Sequence, residues 1–322
     1  MLRFGVRCLA LALTCAASFS ALAQDYPSRP VTVISPFPAG GATDSLTRIL
    51  AERMAKELGQ TFIVENKAGA GTNIGASFVS RAQNDGYTIL MATNSTLVTN
   101  RYLYKELPYD PDSFAPIGMV GIGPLVLLAS PKTDFTNAKD VVSYAKQHPG
   151  KLSFASFGSG TSSHLAAEYF KKVADIDMMH VPFKGATQAL PVLVQGDVNL
   201  FFDMVATGMP QAKAGKVKVF AITSKSRMAS LPDLPTIAEL GYPEYEMTAW
   251  FSLVAPKGTP EPALEKLRAA LAATLADPKV RASMDTMGIE PRKGTADELV
   301  SQINTEKPIV EQLVKQANIQ VQ

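Results

Sequence analysis

Residues 31–48, VTVISPFPAGGATDSLTR, decide how this chain is read. Val31 to Ser35 is a short β-branched run of the kind that fills a buried strand. Pro36 and Pro38 stiffen the turn after it, and Gly40 and Gly41 let the backbone approach a ligand with no Cβ in the way. Leu46, Ile49, Leu50, Met54 and Leu58 then recur at helical spacing until Gly59 stops the helix. The segment therefore reads as a strand turning through an elbow into a helix, with the elbow's amides free. The first amides of a helix lack intrahelical acceptors and sit at the positive end of its dipole, so such an elbow welcomes a carboxylate or phosphate without Lys or Arg. A second elbow of the same design spans residues 154–165, FASFGSGTSSHL. Two such mouths, far apart in sequence, imply one ligand held between two domains.

The bulk properties narrow the context. Residues 1–23 carry Arg3 and Arg7, an apolar run too short for the ~20 residues of a membrane span, and Ala21-Leu22-Ala23, which is the pattern of an export signal cut after Ala23. Both cysteines, Cys8 and Cys15, fall in that signal, so the mature chain reaches an oxidising compartment without disulfides and depends on its core. Without Arg3 and Arg7 the chain has 29 basic residues against 29 acidic ones. A net charge near zero gives no support for nucleic-acid or anionic-membrane partners. A monomer is the expected state.

Strand-like and helix-like segments alternate from Val31 onward. Residues 61–65 and 87–92 read as the next strands, around a Gly-rich stretch that leads into a helix. The pattern restarts after Gly121 and Gly123, with strands at 125–129, 151–155, 177–181, 198–202 and 217–223. Helices separate them at 137–147, after the second elbow, at 186–194 and near 207–214. This is an α/β arrangement of two doubly wound sheets, whose ligands bind beyond the carboxyl ends of the strands. A strand-like return at 247–255 and a mostly helical tail are expected to cover the first block. Two crossings, near 117–124 and 247–253, then make a hinge. The expected organisation is a signal at 1–23, lobe 1 at 24–121 plus 250–322, and lobe 2 at 122–249. No internal repeat is detectable by eye.

Each candidate residue has a plain structural reading beside the functional one. Asp44 in the first helical turn favours the dipole by ~0.3–1 kcal/mol with no ligand, and a bare carboxylate there repels an anionic guest. Ser159, His164 and Asp203 are the right types for a nucleophilic triad, which makes a secreted serine esterase the rival reading. The G-x-S-x-G elbow that exposes such a serine is absent, however. His148, His164 and His180 are scattered with no zinc spacing. Gly69 to Gly75 imitates a dinucleotide fingerprint but is one residue too long and lacks the ribose-binding acid, so a tight turn packing against the ligand mouth is the better account. No cofactor is called for. Phe37, Phe157 and Phe183, at elbows or strand ends, would wall an apolar or aromatic ligand body.

The runs PFPAGGATDSLTR, ENKAGAGTNIGA, FASFGSGTSSHLAAEYFK, HVPFKGATQALPVLVQGDVNLFFD and AWFSLVAPKGTP together resemble the Bug-type periplasmic solute receptors of the tripartite tricarboxylate transporter system, over essentially the whole mature chain. The resemblance implies a two-lobed, hinge-closing periplasmic-binding-protein fold with no catalysis. It implies a carboxylate gripped by backbone amides, hydroxyls and waters, then handed to permease subunits of such a transporter or reported to a sensor. Carried over by position, the first lobe would contribute Phe37, Ala39, Gly40, Gly41, Thr43 and Asp44, with Thr93 nearby. The second would contribute Ser156, Gly158, Gly160, Thr161, Ser162, Phe183 and Asp203. Phe157, Ser159 and Phe183 depart from the small residue, amide and tyrosine more usual there. Rings in place of polar handles favour a dicarboxylate or aromatic carboxylate over a small amino acid.

Overall fold

A computed structural model describes residues 26–316 and Ile319, so the export signal read over residues 1–23, with its two cysteines, lies outside the described residues. Strand β1 (Val31–Ser35), helix α1 (Ala42–Leu58), β2 (Phe62–Asn66), α2 (Asn73–Ser80) and β3 (Thr88–Thr93) form the opening unit. In it β1 lies between β2 and β3 and parallel to both, as right-handed crossovers require. A π-turn at Ser95–Thr99 and a short helix α3 (Asn100–Leu103) lead into β4 (Phe114–Ala129).

The second unit runs α4 (Ala138–Gln147), β5 (Leu152–Ser156), α5 (Ser162–Ala174), β6 (Met178–Pro182), α6 (Ala186–Gln195), β7 (Leu200–Met204), α7 (Val205–Lys213) and β8 (Lys218–Ile222). Here β5 lies parallel to β6 and β7. The chain returns through β9 (Thr248–Pro256) and ends in α8 (Glu261–Ala276), α9 (Pro278–Thr286), β10 (Glu290–Pro291) and α10 (Ala296–Gln316). None of the described helices is long and apolar enough to cross a membrane.

The strand order is β2-β1-β3-β9-β4-β7-β5-β6, with β8 and β10 also paired to β4. The fold is α/β and two-lobed, and β4 is common to both lobes. Its first part, Phe114 to Pro124, pairs antiparallel with β9, and its last part, Leu125 to Ala129, pairs with β7 on one side and β8 on the other. The expected crossing at 117–124 and the expected strand at 125–129 are one continuous strand, and the antiparallel β4 and β9 make the sheet mixed. Pro116, Gly118, Gly121, Gly123 and Pro124 read as punctuation, yet register shifts at Pro116/Gly118 and Met119/Gly121 absorb the interruptions as bulges. Gly118 is needed for close approach: a Cβ there would lie 2.0 Å from the Gly294 carbonyl oxygen.

Thr223, fully buried, ties the two connections between the lobes together. Its amide donates to the Leu125 carbonyl (2.9 Å), and its carbonyl accepts from the Met247 amide (2.9 Å). Its hydroxyl accepts from the Leu125 amide (2.7 Å) and donates to the Met247 carbonyl (2.7 Å). Thr223 thus fastens β4 to the chain entering β9 where the two connections lie side by side.

Candidate functional site

The first elbow joins β1 to α1. Gly40 sits at φ +81°, where a side chain would be strained, and Gly41 caps the helix in extended conformation with no side-chain bond. Asp44, in the third helical position and 3 % exposed, reaches back and accepts the Gly40 amide on Oδ2 (3.0 Å). The same oxygen accepts from Arg48 Nε (3.0 Å), and Oδ1 accepts from Asn66 Nδ2 (2.7 Å). This is a capping box displaced by one residue. Burial pushes the Asp44 carboxyl up, but the bonds from Arg48, the Gly40 amide and Asn66 together hold it below the usual carboxylate range.

The second elbow, between β5 and α5, repeats that path. Gly160 has φ +82°, Thr161 is an extended cap, and His164, again in the third helical position, accepts the Gly160 amide on Nδ1 (3.1 Å). The expectation of free elbow amides is corrected accordingly. Gly40 and Gly160 are engaged by these side chains, Gly158 by Ser156 Oγ (3.0 Å), and Thr161 by the Gly158 carbonyl (3.2 Å). What remains to meet a ligand is the first helical turn proper, beginning at Ala42 and at Ser162, where no intrahelical acceptor exists. The two elbows, read from the sequence as the same design, match position for position, with Phe37 and Phe157 at equivalent places.

The carboxyl ends of β1 and β5 face each other. The rings of Phe37 and Phe157 meet edge to face at 6.2 Å. Beside them lies a small interlobe space of about 20 Å³, lined by Phe37, Pro38, Gly41, Ala42, Thr43, Phe157, Gly185, Ala186, Thr187, Met204 and Thr207. That is room for about one water. The helices α1, α6 and α7 all begin on this lining, so three positive dipole ends converge there. The α6 and α7 mouths were not anticipated. One signal was available: Gly185-Ala186-Thr187 repeats the tripeptide Gly41-Ala42-Thr43.

Of the residues singled out from the sequence, Phe37, Gly41 and Thr43 line this space. Gly40 faces Thr187 across the lobes, and Ala39 is exposed beside it. Ser162 opens the first turn of α5, and the Thr161 hydroxyl donates to the Gly158 carbonyl (2.6 Å). Gly158 and Gly160 pack instead against the other rim of lobe 1, where Gly71, Asn100 and Tyr104 stand. There Tyr104 donates to the Ser159 carbonyl (3.3 Å). Phe183 donates its amide to the Ser156 carbonyl (3.1 Å) behind the elbow. Thr93, at the end of β3, is buried with a hydroxyl that has no partner among the described residues.

Asp203 is turned away from the space. Its Oδ1 accepts from the Met204 amide and the Thr207 hydroxyl (2.8 Å each), while Oδ2 lies 3.4 Å from the Cβ position of Gly208 in α7. Burial pushes this carboxyl up to about 7, against those two hydrogen bonds. The triad reading has no geometry to stand on, because the Nδ1 of His164 is taken by Gly160 and its Nε2 faces Glu168 at 3.8 Å.

Comparison with known proteins agrees with this architecture. Residues 46–319 match the family described as tripartite tricarboxylate transporter family receptor. The solved periplasmic binding protein BugD is 39% identical, with TM-score 0.88 over 92% of this chain and 100% of its own. An R. palustris protein solved with adipate is 34% identical, with TM-score 0.89 over 92% of this chain and 99% of its own. MatC from Rhodopseudomonas palustris, solved with bound malate, is 33% identical, with TM-score 0.85 over 90% of this chain and 100% of its own.

Proposed function

This chain belongs to the tripartite tricarboxylate transporter receptor family, and we propose that it captures an organic carboxylate, a dicarboxylate or aromatic carboxylate, between its lobes in the periplasm. It then presents the ligand to the transporter's membrane subunits or to a sensor. The observation that carries this reading is the convergence of the α1, α6 and α7 N-termini on one interlobe space whose lining contains no carboxylate. The Asp44 carboxylate is paired with Arg48 and held by Asn66, and Asp203, also outside the lining, packs against α7. The paired rings of Phe37 and Phe157 give the ligand body an apolar wall, and the adipate and malate carried by two structural neighbours support a dicarboxylate.

The lobes are assigned as 24–121 with 250–322, and 122–249, a division supported by the change of β4 partners at Pro124/Leu125. A six-carbon diacid does not fit about 20 Å³, so the loaded form holds the lobes further apart than they stand here, turned about Thr223. Contacts made only in the closed form favour closure. Besides the lining residues, the first turn of α5 from Ser162 is assigned to the ligand. Gly40, Gly158, Gly160, Thr161 and Asp44 are assigned to shaping the elbows.

Thermal unfolding with a panel of mono-, di- and aromatic carboxylates tests the reading. A true ligand at 100 times its dissociation constant stabilises the fold by about 2.7 kcal/mol. No upward shift across the panel would sink the proposal.

A further inference from the structure

Resting on the carboxylate-receptor reading, we propose that His164 and His180, stacked behind the second elbow, are positioning residues that hold this elbow in its ligand-receiving shape only while both rings are neutral. The imidazoles lie 3.9 Å apart and nearly parallel, with Phe154 stacked on His180 at 4.9 Å. Each ring governs one amide of the turn. The Gly160 amide donates to His164 Nδ1 (3.1 Å), which places the single ring proton on Nε2. The Gly158 amide donates to Ser156 Oγ (3.0 Å), and that hydroxyl is in turn bonded to His180 Nε2 at 2.6 Å. Neither ring lines the interlobe space, so each acts through the backbone on either side of Ser159.

A proton on His164 Nδ1 would remove the acceptor and set one N–H against another. Charging both rings would stack two cations. The surrounding charges disfavour this. On α5, Glu168 faces His164 Nε2 but is paired with Lys171 (3.2 Å), and Lys171 also meets Asp177 ahead of β6 (3.8 Å). Asp203 on β7 faces α7 instead. Burial, the neighbouring ring and the Lys171 ammonium push His164 down to about 2, and burial with the same ammonium pushes His180 down to about 4.

Calorimetric binding of adipate and malate to the full mature chain, between pH 7.5 and 4, reads the role. In His164→Asn an amide oxygen replaces Nδ1 without titrating, and in His180→Gln an amide replaces Nε2. His164→Ala is expected to lose about tenfold in affinity at pH 7.5, the equivalent of one hydrogen bond, while His164→Asn stays close to the parent. As the pH approaches 4 and His180 takes up its proton, the parent is expected to lose affinity more steeply than the His164→Asn/His180→Gln double variant, the diacid's own titration being common to both. Equal binding by His164→Ala and His164→Asn, or superimposable pH profiles, would reduce the stack to packing and overturn the proposal. A parent that binds neither acid at pH 7.5 fails the receptor reading instead. Hydrogen exchange at the Gly160 amide, expected to quicken in His164→Ala and not in His164→Asn, then still decides the positioning role.

Discussion

Gly40 to Asp44 and Gly160 to His164 trace the same backbone path, from a left-handed glycine through an extended cap to a side chain that accepts the glycine's amide. Beneath that path the chemistry differs. The first elbow uses a carboxylate, and its charge has to be answered by Arg48 and Asn66. The second uses a neutral imidazole and has no acid in its first helical turn. What the turn demands is an acceptor at the third helical position, and the charge of that acceptor is free to vary. The consequence is electrostatic: the α5 dipole has no acid in its first turn, whereas that of α1 carries an anion beside it.

The largest separation between the elbows should come from their phenylalanines. Phe157 is 8 % exposed and packs on Phe37 and Phe201, so Phe157→Ala should cost roughly 3–5 kcal/mol in urea unfolding. Phe37 is only half-buried, and its alanine variant should cost about 1–2 kcal/mol on the same scale of buried area. Equal losses would mean that the two rings have interchangeable roles at the lobe junction.

Replacing the left-handed glycines sharpens the comparison at smaller cost. Both positions impose ~1–2 kcal/mol of backbone strain on alanine. At Gly40 the new Cβ meets only Thr187 Cγ2 at 3.7 Å, but at Gly160 it falls 2.7 Å from Asn100 Oδ1 and 3.0 Å from Leu103 Cδ1. Gly160→Ala should therefore be about 1 kcal/mol more destabilising than Gly40→Ala, the excess being the overpacking term. Chemical denaturation of both variants decides it, and an equal or reversed order would show that the second elbow is not clamped against α3.

Much of this was legible in the sequence, for identifiable reasons. Strand β1 has the bounds that its β-branched run gave, and the elbows were marked by Pro and Gly where the chain turns. β4 was hidden because Pro116, Gly118 and Gly121 look like loop residues unless the close approach of Glu290 and Gly294 and the bulges are known. The amide partners were hidden for a different reason. Whether the side chain of Asp44 or His164 turns back to its own glycine or outward to a ligand is a matter of rotamer, which residue type does not specify. The α6 and α7 mouths were missed because only tertiary placement brings Thr187 and Thr207 beside Thr43.

Acid titration separates the elbows by window. His164 and His180 titrate lower in the folded chain than the ordinary histidine value of 6.5, so below that pH the unfolded chain binds more protons and stability falls as pH falls. That loss continues to about 4 for His180 and to about 2 for His164. Asp44 is held below 3.8, so its contribution is lost only beneath that value. Asp203, raised to about 7, has the opposite sign: the folded chain keeps its proton from 3.8 upward, and stability falls as pH rises through that interval. Subtracting the unfolding free energy of His164→Asn from that of the parent cancels Asp203 and Asp44 and leaves His164. Between pH 6 and 5 the difference should decline by about 1.2 kcal/mol. A flat difference would mean that His164 takes up its proton in the folded chain as easily as in the unfolded one. The second elbow would then lose its neutral acceptor and, with it, its contrast to the first.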